Sequence, residues 1–79
     1  MARVLLFGKL ADIAGWRERE IDAASLTGLT ALLSMEDANL GEALKGRGVQ
    51  TAVDQQLVRG DIQITPASEV AYLPPMSGG

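Results

Sequence analysis

Residues 25–48 read SLTGLTALLSMEDANLGEALKGRG, and this one helical stretch between two sets of β-type runs decides the fold. Leu29, Leu32 and Leu33 fall at i, i+3 and i+4, which is one apolar stripe of a helix, and Ser25 or Thr27 offers a capping hydroxyl at its start. Gly28 costs about 1 kcal/mol relative to alanine inside a helix, which is tolerable so near the beginning. A shorter helical turn is expected from about Asn39, with Leu40, Ala43 and Leu44 facing inward and Gly46 and Gly48 stopping it. Met35 and these leucines are read as core.

On the N-terminal side, ARVLLFGKL (residues 2–10) is a dense β-type run ending at Gly8. Alternate residues of a strand face opposite ways, so Val4 and Leu6 share one face while Leu5 and Phe7 share the other. Both faces are apolar. Either the strand is covered on both sides, or one face meets the core and the other a partner. Next, LADIAGWREREID (residues 10–22) turns at Gly15 and gives a second strand, WREREID. Arg17, Arg19 and Ile21 fall on one side of it, with Trp16, Glu18, Glu20 and Asp22 on the other. So many charges suit a solvated sheet edge, where they discourage edge-to-edge aggregation.

On the C-terminal side, VQTAVDQQLV (residues 49–58) reads as a hairpin: a strand to Val53, a polar turn at Asp54, Gln55 and Gln56, then Leu57 and Val58 returning. Arg59-Gly60-Asp61 spells an adhesion tripeptide, but three residues recur by chance too often to carry that function, and a turn is the better reading. TPASE (residues 65–69) turns the chain again. EVAYLPP (residues 69–75) is the last strand, with Val70 and Tyr72 on one face and Ala71 and Leu73 on the other. Pro74 and Pro75 lack amide donors and end its ladder.

The order is therefore β-β-α-β-β-β, an α+β chain. A helix between the opening strands and the later ones lets the last strand lie parallel beside the first, because parallel neighbours need a long crossover. One main helix covers one face of such a mixed sheet. Leu5, Phe7, Leu57 and Leu73 are left for the opposite face, which favours a partner surface there.

The composition narrows the chemistry. A single domain of 79 residues has room for one small core. There is no cysteine, hence no disulfide, thiolate metal site or thiol nucleophile, and no histidine for acid–base work near neutrality. The net charge is −3 with scattered basic residues, unlike the clustered positive patch that nucleic acid requires. The longest apolar run, VLLF, is far short of the ~20 residues that span a membrane. No secretory leader is recognisable at the start, so a cytoplasmic location is expected. A free-standing enzyme is a poor fit.

The chain closes on PPMSGG (residues 74–79). Fully extended, six residues reach about 20 Å. The prolines stiffen the base by fixing φ, and the glycines, lacking Cβ, make the narrowest tip that could thread a tight channel. That tip delivers a C-terminal carboxylate. A carboxylate is a poor electrophile until activated, usually as a mixed anhydride with AMP made by an ATP-using enzyme. Displacement of AMP by sulfide, or by a persulfide whose S–S bond a thiol then cleaves, yields a terminal thiocarboxylate; displacement by an enzyme thiol, then a lysine, yields an isopeptide bond. Without cysteine, no internal thiol can attack the chain's own activated end.

RVLLFGKLADIAG at the start, with VQTAVDQQLV and EVAYLPPMSGG at the end, resembles the MoaD family, the small ubiquitin-like sulfur-carrier subunits of molybdopterin synthase. The likeness spans the whole chain in element order, and the double proline before the Gly-Gly end is its most specific part. ThiS, the thiamine-pathway carrier, shares the fold and the Gly-Gly end but usually lacks that proline pair. The resemblance implies a β-grasp fold over residues 1–73 and an extended tail over residues 74–79. It implies a non-catalytic carrier role in which Gly79, preceded by Gly78, is adenylated by an E1-like MoeB-type enzyme, converted to thiocarboxylate by a sulfurtransferase step, and presented to a MoaE-type large subunit. Sulfur then passes to cyclic pyranopterin monophosphate in molybdenum-cofactor synthesis. Phe7, Leu57 and Leu73 match apolar docking positions, and Pro74, Pro75, Met76 and Ser77 enter the partner. No bound cofactor or metal is expected, with ATP belonging to the activating partner. Asp54, TPASE and Gly28 depart from the family's commoner residues without touching the tail. A carrier in another pathway, a protein modifier joined through Gly79, or a plain interaction domain are the alternatives.

Overall fold

The computed structural model describes residues 1–75. The elements run β1 (Ala2–Leu6), α1 (Lys9–Ala14), β2 (Glu18–Ile21), α2 (Leu26–Glu36), α3 (Ala38–Leu44), β3 (Gln50–Val53), β4 (Gln56–Val58) and β5 (Glu69–Leu73). They build one five-stranded sheet in the order β2-β1-β5-β3-β4. β5 lies parallel to β1, with Val4 opposite Val70 and Leu6 opposite Tyr72, while β1–β2, β3–β4 and β3–β5 are antiparallel. The last strand thus sits at the centre beside the first, as the long helical crossover predicts.

All three helices contribute to a core on one face of the sheet. Val4, Leu6, Val70, Tyr72, Ile21 and Val53 come from the strands, Leu10 from α1, Leu26, Leu29 and Leu33 from α2, and Leu40 from α3. Ser25 caps α2 by accepting the Gly28 N–H at 3.0 Å, the arrangement that serine at an N-cap favours. Asp61 supports the same end, its carboxylate accepting the Thr27 N–H at 2.8 Å. The third residue of the Arg-Gly-Asp tripeptide therefore holds a helix terminus. Asp37 closes α2 and caps α3, accepting from Asn39 and Leu40.

The structure departs from the sequence reading in four places. Lys9–Ala14 is a short helix, α1, in a segment to which the sequence reading assigns no element before the turn at Gly15. Met35 is 87% exposed rather than core: at about 100° per residue it lies some 200° round α2 from Leu33. Trp16 is not on the outer face of a strand, because β2 begins only at Glu18; it is packed against the core, with the Arg19 guanidinium 5.0 Å from its ring centre. Gln56 belongs to β4 opposite Val53, leaving a two-residue turn in which Asp54 and Gln55 both take positive φ, 51° and 70°. That backbone matches the right-handed twist of a hairpin, and Asp and Asn are among the residues that tolerate it. Asp54 also accepts the Glu69 N–H at 2.9 Å.

Candidate functional site

The strand registers lay out the face opposite the helices in rows. Arg3 lies between Glu20 and Glu69. The next row runs Glu18, Leu5, Ala71, Ala52, Leu57 across all five strands. Beyond it, Leu73 pairs with Gln50, and Phe7, just past β1, donates its N–H to the Tyr72 carbonyl. One end of this open face is charged and the other apolar.

At the charged end Arg3 Nε donates to Glu18 Oε2 at 2.7 Å, with Glu69 3.9 Å away. The Glu18 bond, and then its charge, raise the already high pKa of Arg3. These groups are solvated, so the pairing contributes little to stability. Its consequence is a fixed, mainly acidic border beside the apolar end.

The apolar end is uncovered. Phe7 is 45% exposed and Leu57 63%, while Leu5 and Leu73 are half-buried. Ala52 and Ala71 fill the middle of the row and keep it shallow. Phe7, Leu57 and Leu73, singled out from the sequence, therefore share one surface, with Phe7 and Leu73 close to the point where β5 ends. Pro74 is half-buried and Pro75 exposed. Both touch backbone: a Cβ on Gly8 would lie 3.1 Å from Pro74 Cγ, and one on Gly48 would lie 2.7 Å from Pro75 Cβ. Neither glycine carries a motif that sequence reasoning could have tied to the tail. Met76, Ser77, Gly78 and Gly79 lie outside the described residues.

Among the described residues no group of three or more His, Cys, Asp or Glu side chains could hold a metal ion, and no helix is long and apolar enough to cross a membrane. The site is thus an apolar platform whose central strand runs directly into the tail.

Comparisons with known proteins agree with this architecture. Residues 4–79 match the ThiS family. The molybdopterin synthase sulfur carrier subunit of Escherichia coli is 30% identical over 81 aligned positions, covering the whole of both chains. Among solved structures, small archaeal modifier protein 1 from Haloferax volcanii superposes with a TM-score of 0.86 at 22% identity, covering 99% of this chain and 98% of that one. A putative molybdopterin converting factor subunit 1 from Pyrococcus furiosus gives 0.82 at 24% identity, over 95% of this chain and 97% of that one. At such identities the solved structures establish the ubiquitin-like β-grasp fold, while the family match and the curated relative establish kinship. The chain belongs to the ThiS family of ubiquitin-like sulfur carriers, with the MoaD-type carrier as a full-length relative.

Proposed function

We propose that the protein is the sulfur-carrying small subunit of a molybdopterin synthase. The observation that carries this reading is the contiguity of dock and tail: β5, the central strand, ends at Leu73 within the apolar surface and continues into Pro74. A partner covering Phe7, Leu57 and Leu73 would receive the tail in the same encounter. The family match extends to Gly79, and the 30% identical relative is a molybdopterin synthase carrier covered from end to end. Both support assigning the reactive group to that glycine.

In this reading the Gly79 carboxylate attacks the α-phosphorus of ATP on an E1-like enzyme and expels pyrophosphate. A persulfide sulfur on a sulfurtransferase attacks the acyl-adenylate carbonyl and expels AMP; a thiol then cleaves the S–S bond of the resulting acyl disulfide, so that the chain ends in –C(O)SH and the two thiols leave as a disulfide. On a MoaE-type large subunit the thiocarboxylate sulfur displaces an oxygen substituent of the pterin precursor, and water then hydrolyses the acyl–sulfur bond, leaving the sulfur on the pterin and returning the Gly79 carboxylate for another cycle. The chain contributes no acid, base or metal; its tasks are to dock, reach and present. Met76, Ser77 and Gly78 serve the reach, being small or unbranched enough to enter a narrow passage in the partner. The chemistry belongs in the cytoplasm, where ATP and the pterin precursor are found.

Removal of Gly78 and Gly79 tests the assignment. The truncated chain should keep the wild-type melting temperature and fail to restore molybdopterin synthesis in cells lacking their own small subunit. Full restoration would overturn it. The β-grasp fold is equally compatible with a protein modifier, so the same cells should be searched for lysines carrying a Gly-Gly remnant of this chain. Such adducts, with no molybdopterin made, would replace the carrier reading.

A further inference from the structure

The base of the tail is gripped by backbone. β5 ends at Leu73, and Pro74 and Pro75 carry no N–H that could extend the ladder. What meets them are two loops from opposite sides of the central strand: Gly8, between β1 and α1, and Gly48, between α3 and β3. Gly8 has φ +54° and Gly48 φ +82°, a region side-chain-bearing residues rarely adopt. At Gly48 the closeness is the more severe. An added Cβ would sit 2.7 Å from Pro75 Cβ and 3.5 Å from Pro75 Cα. A proline ring is fixed at φ and cannot swing aside, so a side chain there must move the tail's backbone.

We propose that Gly48, with Gly8, forms a seat that sets the direction in which the tail leaves the fold, making Gly48 a positioning residue for reactions at the terminus. The functional consequence rests on the sulfur-carrier reading; the seat itself does not. Four residues follow Pro75 and span at most about 14 Å, so an error at the base is carried toward the reacting carbonyl. Misplacing reacting groups by about 1 Å can cost as much as 10²-fold in rate. The diproline is already stiff, and a stiff segment held at its base has less freedom to lose when it enters a channel.

Gly15 supplies the control. Its φ of +83° is within a degree of the +82° of Gly48, yet nothing lies within 4 Å of an added Cβ. Gly15→Ala and Gly48→Ala therefore share the backbone strain, and only the second meets Pro75. With the full-length chain, ATP and an E1-like activating enzyme, Gly48→Ala should lower kcat for adenylation about tenfold, with KM unchanged because the apolar platform is intact. Gly15→Ala should leave both at wild-type values.

Pro75→Gly closes a double-mutant cycle. Once the ring is gone, Gly48→Ala has nothing to displace, so the double variant should be no slower than Pro75→Gly alone. Amide chemical shifts read the seat without any enzyme: Gly48→Ala should move the Leu73, Gly8 and Phe7 resonances, and the Pro75→Gly background should suppress that effect. Additive effects on kcat, or shifts confined to residues adjoining position 48, would overturn the proposal. If the wild-type chain is not adenylated at all, the carrier reading fails while the shift cycle still decides the seat. If Gly48→Ala does not fold, a Pro75→Gly chain with wild-type kcat would equally overturn it.

Discussion

Tyr72 reaches from the central strand through the core to place its hydroxyl 2.8 Å from Thr30 Oγ1 on α2. Burial pushes its pKa above the usual 10, and the Thr30 bond offsets only part of that rise. The folded chain thus retains a proton that the unfolded chain releases near pH 10, so this residue's contribution to stability falls as pH climbs past about 10. Tyr72→Phe should cost about 1 kcal/mol at neutral pH, and its deficit against wild type should shrink in alkaline melts. A constant deficit would mean the hydroxyl is not held as described. Asp61 has the opposite sign: its bond to the Thr27 N–H lowers its pKa, so helix-end support is present at neutral pH and fades as acid protonates the carboxylate. Tyr72's inward face was legible from alternation along EVAYL. The role of Asp61 was not, because a cap 34 residues distant in sequence leaves no local pattern.

At the scale of elements, periodicity located what was long enough to show it. The α2 stripe, the α3 turn and all five strands follow from spacing alone, and the alternation of β2 holds from Glu18 to Ile21. α1 escaped because six residues make fewer than two turns, too few for a stripe; Leu10 and Ala11 are buried there. Met35 stands next to core leucines in sequence, but its angle on α2 turns it to solvent. The contrast is measurable. Leu29→Ala should cost about 2–5 kcal/mol, a large share of the roughly 4–12 kcal/mol expected of a domain this size. Met35→Gln should stay within about 0.5 kcal/mol of wild type. Chemical denaturation reads both, and a costly Met35→Gln would show that its side chain packs after all.

For the whole molecule, the parallel β1–β5 pair was legible because a helical crossover leaves few other arrangements. The open apolar face followed from having one helical layer and a sheet with two apolar sides. Phe7, Leu57 and Leu73 do gather on that face, but the seat at Gly8 and Gly48 was hidden, since close backbone approach depends on the folded path of distant loops. Phe7→Arg should leave stability nearly unchanged, the residue being exposed, and weaken binding to a molybdopterin synthase large subunit about tenfold or more, as expected for a charge forced into an apolar interface core. Unchanged affinity by calorimetry would place the interface elsewhere.

The central claim is that the molecule works by lending its activated terminus to other proteins. Mass spectrometry of the intact chain, after incubation with ATP, an E1-like activating enzyme and a sulfur donor, tests it most directly. The account predicts an ATP-dependent gain equal to one oxygen replaced by one sulfur, located on Gly79 and absent from a chain lacking it. An unchanged mass, with no AMP or pyrophosphate released by an activating enzyme competent on its own carrier, would contradict it.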